Sequence, residues 1–83
     1  MKEENITNLE PIGHAVFIEL VKSNVISQVE ARALRDKWYI HTHVNGQPRV
    51  LTAKRGNIRK FANPATLLNY TKDAGIRRVI FEN

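Results

Sequence analysis

Hydrophobic residues recur at helical spacing near the start of the chain. Phe17 and Val21 share one face with the apolar residues between them, at the period of an amphipathic α-helix. Pro11 suits the first turn of such a helix, where its missing N–H costs nothing. We therefore predict a helix over residues 11–24. Residues 1–10 show no periodicity, and we predict that they form a flexible leader.

The middle of the chain alternates with a period of two instead. Residues 37–44 are rich in aromatic and β-branched side chains, with Trp38 and Ile40 on one face and the tyrosine and both histidines on the other. Asn45-Gly46 follows, a dipeptide that tolerates the two positive-φ positions of a tight hairpin turn. Residues 48–53 then return as the partner strand. This pattern predicts a β-hairpin.

Residues 27–35 support two interpretations. Ser27 and Glu30 have the spacing of a helix capping box, and the residues that follow have high helix propensity. Val29 and Ala31, however, alternate with charged residues, as in a half-buried strand. We favour the strand, because the strand that follows needs a hairpin partner.

The last third of the chain contains clear helix signals. A turn at residues 54–57 leads into a short predicted strand at 58–61. Asn63-Pro64 then combines a good N-cap residue with proline at the first helical position. Gly75 suits the left-handed C-terminal cap of the same helix. Residues 76–81 are predicted to form a closing strand.

These elements define an α+β fold. A chain of 83 residues allows one domain, which we place at residues 11–83. We predict an antiparallel sheet of roughly three to five strands, with two helices packed on the face that carries Trp38. The N-terminus is acidic and polar, and no apolar run approaches the ~20 residues of a membrane span. We expect a cytoplasmic protein with no membrane partner.

Positive charge is concentrated in the middle of the chain. The formal net charge is +5 at pH 7, yet residues 37–72 contain seven Lys or Arg residues and no Asp or Glu. Such clustering favours an anionic partner, although a solvated face that only maintains solubility is the alternative. Four of these cations surround the turn at Gly56, where backbone N–H groups can also bind phosphate. The residues expected to bind nucleic acid or another anionic partner are Arg49, Lys54, Arg55, Arg59 and Lys60.

A secondary set of candidates flanks this cluster: Lys37, Tyr39, His41, His43, Arg77 and Arg78. Tyr39 is the better candidate for stacking on a base, whereas Trp38 is expected in the core. The two histidines are expected to be half-exposed and to add positive charge below about pH 6.5. A metal would need a third or fourth ligand, so we predict neither a metal nor a cofactor.

Catalytic motifs are missing from the sequence. The chain has no cysteine and no Gly-x-Ser-x-Gly motif, and its two serines, Ser23 and Ser27, lie close together near a predicted helix end. Paired catalytic carboxylates are improbable, because the strand-rich middle contains no acidic residue. We predict that the protein is not an enzyme.

The run from Leu51 to Phe61, followed by Leu67-Leu68 and Gly75-Ile76-Arg77-Arg78, resembles the small partition-associated (ParC-like) accessory proteins of plasmids and integrative elements. In that family a Thr-x-x-Arg-Gly turn and an Arg-x-Phe strand precede a helix, a Gly-Ile pair and a final strand. The resemblance covers about residues 11–82 and implies a mobile-element setting more than a mechanism. The element order is also similar to double-stranded RNA-binding domains. Their second helix opens with lysines, which Asn63-Pro64-Ala65-Thr66 lacks, so we reject that assignment.

Two functions from different classes follow. The first is a mobile-element accessory protein, monomeric or homodimeric, that binds nucleic acid through the basic turn. The alternative is a small inhibitor of a host defence system, of the anti-CRISPR type, that places the same cations on an acidic or nucleic-acid-binding protein complex.

Overall fold

The computed structural model describes residues 9–82. The strands are β1 (Glu10–Ile12), β2 (Gln28–Leu34), β3 (Lys37–Val44), β4 (Gln47–Leu51) and β5 (Arg78–Glu82). The helices are α1 (His14–Lys22) and α2 (Pro64–Ala74). The strands form one five-stranded sheet in the order β1-β4-β3-β2-β5. The predicted α+β class is confirmed, and the ambiguous segment at residues 27–35 contains strand β2.

The sheet is mixed. Strands β2, β3 and β4 pair antiparallel, whereas β1 runs parallel to β4 and β5 runs parallel to β2. Helix α1 carries the chain back across the sheet after β1, and α2 does the same after β4. The strand that follows each helix therefore has the direction of the strand before it. The prediction of an antiparallel sheet holds for the three central strands and fails at both edges.

Local turn and cap residues behave as predicted. Asn45 (φ 53°) and Gly46 (φ 82°) form the tight turn between β3 and β4 with two positive φ angles. Asn63 caps α2, because its side-chain oxygen accepts a hydrogen bond of 2.9 Å from the backbone N–H of Thr66. Gly75 ends the same helix with φ 98° in the left-handed region.

The predicted first helix is too long at both ends. Pro11 lies in β1, where a strand at the edge of a sheet tolerates its missing N–H. The adjoining Ile12 is buried opposite Leu51 of β4, which draws these residues into the sheet. Helix α1 begins at His14 instead and ends at Lys22. Of the predicted leader, residues 1–8 lie outside the described residues, and the prediction was wrong for Glu10, which belongs to β1.

Two later strands also differ from the predicted boundaries. Residues 58–61 make only two isolated bridges, Thr52 with Ile58 and Trp38 with Phe61, because the chain crosses from β4 towards β3 instead of running along either. The closing strand begins at Arg78 and not at Ile76, whose buried side chain belongs to the core.

The main core lies between the sheet and both helices, which pack on the same face as predicted. Phe17 of α1 and Leu67 of α2 are fully buried against strand residues such as Ile40. Trp38 lies on this face but is only partly buried. Its ring meets the ring of Phe81 edge-on, with centroids 5.4 Å apart. Trp38 therefore borders the core, where the prediction had placed it inside.

A second, smaller apolar cluster covers part of the opposite sheet face. Tyr39 and Val50 are buried there. Three partly buried residues pack against them: Leu9, Leu34 and Ile58. Since Leu9 and Ile58 come from segments far apart in the chain, this cluster closes only when the whole sheet has assembled.

Candidate nucleic-acid interface

The predicted cations do not lie together in the fold. The antiparallel register of β3 and β4 places the start of β3 beside the end of β4. Residues that begin β3 or follow β4 therefore lie at one end, which we call the basic end; its predicted members are Lys37, Lys54, Arg55, Arg59 and Lys60. Arg77 and Arg78 lie at or near the start of β5, at the other end, and Arg49 lies in the middle of β4.

The turn at the basic end is held by backbone hydrogen bonds. The N–H of Gly56 donates to the carbonyl of Ala53 at 2.9 Å, and the N–H of Ala53 donates to the carbonyl of Asn57 at 2.7 Å. Gly56 has φ 88°, a conformation that favours glycine. The turn leaves Lys54 and Arg55 exposed to solvent, so both side chains are free to reach an anion.

A shallow groove of 570 Å³ lies beside this turn. It is lined by His14, Thr52, Ala53, Lys54, Ile58, Arg59 and Lys60. Three of these residues are cations, and none of the lining residues is acidic. His14 is also the first residue of α1, and no side chain caps that helix. The partial positive charge of the helix N-terminus therefore adds to the cations of the groove.

Arg59 is fixed on aromatic rings instead of extending from the turn. Its guanidinium carbon lies 4.6 Å from the ring centroid of Tyr70 and 5.3 Å from that of Phe61, in cation–π range. The Tyr70 hydroxyl and His14 Nδ1 form a hydrogen bond of 2.7 Å. Burial raises the pKa of Tyr70, and the charge of Arg59 opposes that rise. This packing holds Arg59 in a defined position on the groove wall.

Sequence reasoning did not find Tyr70 and His14 as parts of this site. They are 56 positions apart and meet only because α2 packs beside α1. No rule of sequence spacing links His14 to Tyr70. The single available signal was the concentration of cations at residues 54–60.

Arg49 does not join the basic turn. It lies in the middle of β4, with its Nη1 atom 3.4 Å from Oε1 of Glu10 on the neighbouring strand. A nearby carboxylate offsets its charge, so Arg49 differs from the cations of the groove. Arg77 and Arg78 are exposed at the start of β5, and Lys37 is exposed at the basic end.

The face that was expected to offer Tyr39 and His41 buries both of them. Both residues are 4% exposed. Tyr39 therefore has no free ring surface on which a base could stack, and the prediction that His41 is half-exposed was wrong. Neighbouring strands supply the cover, including Val50 and Glu30. His43 remains exposed, with its ring edge-on to that of His41 at 5.1 Å.

Burial sets the protonation behaviour of His41. Its Nδ1 lies 3.3 Å from Oε1 of Glu30, yet this buried nitrogen has no hydrogen-bond partner among the described residues. Burial and then the charge of Arg32 lower the pKa of His41, which outweighs the attraction of Glu30. His41 therefore carries less positive charge near pH 6.5 than an exposed histidine does. Within residues 9–82, no three His, Asp or Glu side chains are grouped to hold a metal ion.

We expect His41 to make the fold less stable in mild acid. In the unfolded chain its pKa returns to about 6.5, so below that pH the unfolded state binds more protons than the folded state. Stability should be retained above pH 6.5, fall as the pH drops below it and level off beneath the lowered folded pKa. Urea unfolding between pH 7.5 and 5 measures this, and His41→Gln should flatten the slope. His43→Gln, the exposed neighbour whose charge is a lesser cause of the His41 shift, should change the slope much less; equal slopes for wild type and His41→Gln would contradict the assignment.

Comparison with known proteins does not extend this description. No protein-family model, curated protein or solved structure matches the chain. The resemblance to partition-associated accessory proteins therefore stays a prediction. In the part of the chain that the structure describes, neither helix is long and apolar enough to cross a membrane.

Proposed function

We propose that this protein is a non-enzymatic nucleic-acid-binding domain that holds the phosphate backbone in the groove at the basic end. The observation that carries this proposal is the groove lining, which contains Lys54, Arg59 and Lys60 and no carboxylate. Phosphate contacts of this kind supply most of the affinity in sequence-independent binding. Arg55, exposed on the adjoining turn, is within the same basic segment.

The geometry favours the backbone over the bases as the part of the nucleic acid that is bound. Single-stranded bases are recognised by stacking on exposed aromatic rings. Tyr39 is buried, Tyr70 is already covered by Arg59, and no Phe, Tyr or Trp lines the groove. Charged side chains and helix N–H groups bind phosphate without reading sequence. We therefore expect similar affinity for duplexes of unrelated sequence.

Salt titration tests this proposal directly. Three or four phosphate contacts release roughly 0.9 counterion each on duplex DNA, so log Kd should change with log salt with a slope of about 3 to 4. The measurement is fluorescence anisotropy of a labelled duplex and a labelled single strand at several salt concentrations. Arg49→Ala is the control, because it removes an arginine that lies beside Glu10 and does not line the groove, so it should leave the slope unchanged.

Two results would contradict the proposal. A protein that binds neither duplex nor single strand at low salt does not bind nucleic acid, and the inhibitor acting on an acidic protein surface becomes the better proposal. A slope that Arg49→Ala lowers by about one would make Arg49 a phosphate contact and place the binding surface outside the groove. The mobile-element and cytoplasmic settings are part of the same proposal and rest on the sequence resemblance and composition alone.

A further inference from the structure

The two edges of the sheet differ in how they are protected. Edge strand β1 has three residues, and one of them is Pro11. Short edges and proline discourage pairing with another chain. Edge strand β5 has five residues and no proline. No strand lies on its outer side among residues 9–82, and Phe81 within it is 39% exposed.

The strand β5 has a sequence that complements itself when it is reversed. It reads Arg78-Val79-Ile80-Phe81-Glu82, with a cation at one end, an anion at the other and apolar residues between. In an antiparallel pair centred on Ile80, Arg78 stands opposite Glu82 of the second copy and Val79 opposite its Phe81. A two-fold axis repeats both pairs, as isologous interfaces require.

We propose that β5 is a homodimer interface, at which β5 of a second copy pairs antiparallel and joins two five-stranded sheets into one. The occupant is a second copy because charge and hydrophobicity match only in this self-complementary register. Opposite charges and apolar residues directly across an antiparallel pair are both stabilising, whereas like charges are destabilising.

The charged pairs and the Val79–Phe81 pairs lie on opposite faces of β5. Its parallel register with β2 places Ile80 opposite Glu30 and Phe81 opposite Ala31. The ends of the strand share the face of Ile80, on the side of the sheet away from the helices. Glu82 already has Oε1 3.4 Å from Nε of Arg32, and its side chain is 47% exposed. It can therefore accept a further contact from Arg78 of a second copy.

The helix-covered face offers an aromatic contact. Phe81 packs edge-on against Trp38, two strands away; on the strand between them Ala31 stands opposite Phe81 and Ala33 opposite Trp38. The exposed remainder of the Phe81 ring borders the open edge of the sheet. Val79 of a second copy lies directly opposite Phe81 in the proposed register and covers this ring. Trp38 is the single tryptophan of the chain, so its fluorescence reports on this edge.

Sedimentation of charge-reversed variants tests the interface. Wild type should dimerise with rising concentration, and because a five-residue edge buries little area we expect a weak dimer, studied from about 1 µM to 1 mM. Arg78→Glu or Glu82→Arg alone turns both charged pairs into like pairs and should raise the dissociation constant on the order of tenfold or more. An equimolar mixture of the two single variants restores opposite charges across the axis and should form a heterodimer. Arg77→Glu, one residue before the strand, is the control.

Disulfide capture provides a second readout that does not depend on charge. The chain has no cysteine, so Ile80→Cys introduces a single thiol that lies opposite itself in the dimer. Opposed residues in antiparallel strands have Cα atoms roughly 4.5–5.5 Å apart, within the range of a disulfide. Mild oxidation should cross-link Ile80→Cys and not Val16→Cys, whose residue on α1 is 55% exposed.

Each outcome decides the proposal. Concentration-dependent dimers, loss on single reversal, recovery in the mixture and selective cross-linking support it. A wild type that stays monomeric at about 1 mM overturns it, as does a dimer that both charge reversals leave unchanged. If circular dichroism shows that a charge-reversed variant does not fold, the sedimentation of wild type and the comparison of Ile80→Cys with Val16→Cys still test the interface.

Discussion

Replacing both Lys54 and Lys60 with glutamate is expected to weaken duplex binding about a hundredfold at roughly 0.1 M salt. Each lysine lines the groove and is exposed. Losing two counterion-releasing contacts removes nearly two powers of ten at this salt concentration, and the new carboxylates add repulsion of the phosphates. The measurement is duplex anisotropy with wild type and variant at matched salt. The salt slope should fall by about two at the same time.

The matched control changes the same net charge elsewhere. Lys22 and Lys72 lie in the last turns of α1 and α2, which both run away from the basic end. Replacing both with glutamate makes an identical change in net charge and should alter binding only slightly. Acidic residues at helix C-termini reduce stability by about 0.3–1 kcal/mol each, and circular dichroism checks that the double variant still folds. Equal loss of binding in the two double variants would show that net charge, and not the groove, attracts the nucleic acid.

Replacing Phe17 with alanine is expected to lower the free energy of unfolding by about 3–5 kcal/mol. Phe17 is fully buried at the centre of the main core, and its ring stacks near that of Tyr70 with centroids 6.0 Å apart. A domain of this size has a total stability of only ~4–12 kcal/mol. The variant should therefore be largely unfolded in mild denaturant. Urea unfolding followed by circular dichroism measures the change.

Two neighbouring substitutions calibrate this effect. Val16 precedes Phe17 on α1 and is 55% exposed, so Val16→Ala should change stability by no more than about 0.5 kcal/mol. Trp38→Ala should cost less than Phe17→Ala, because Trp38 is only partly buried at the border of the core. A larger loss at Trp38 than at Phe17 would contradict the assignment of the core.

The sequence by itself determined the elements whose signals are local. Asn45-Gly46 specifies the β3–β4 turn because few other residues adopt two successive positive φ angles. Asn63 and Gly75 similarly define the two ends of α2. Asn63 accepts a hydrogen bond from a backbone N–H of the first turn, and Gly75 adopts the left-handed conformation that ends the helix. Alternation along β3 also identified which side chains share a face. The concentration of cations around Gly56 is also a local signal, and it indicated where the candidate groove lies.

The depth of burial was decided only by the tertiary structure. Alternation assigns Trp38 and Tyr39 to opposite faces, yet Tyr39 is the more deeply buried of the two. Its cover comes from distant segments that include Leu9 and Ile58, whereas Trp38 lies where the main core ends. No local pattern contains this information, because cover depends on which segments arrive above a strand.

Strand direction and the composition of the basic end were also decided by long-range packing. Each helix returns the chain across the sheet, so β1 and β5 join the edges in parallel. The same packing places Glu10 of β1 beside Arg49, which sets this arginine apart from the basic turn that follows β4. It also brings Tyr70 and His14 together beside Arg59. In the sequence, the cations between Arg49 and Lys60 form one cluster. The tertiary structure separates them, because Arg49 lies within β4 beside Glu10, whereas the cations that follow β4 line the groove.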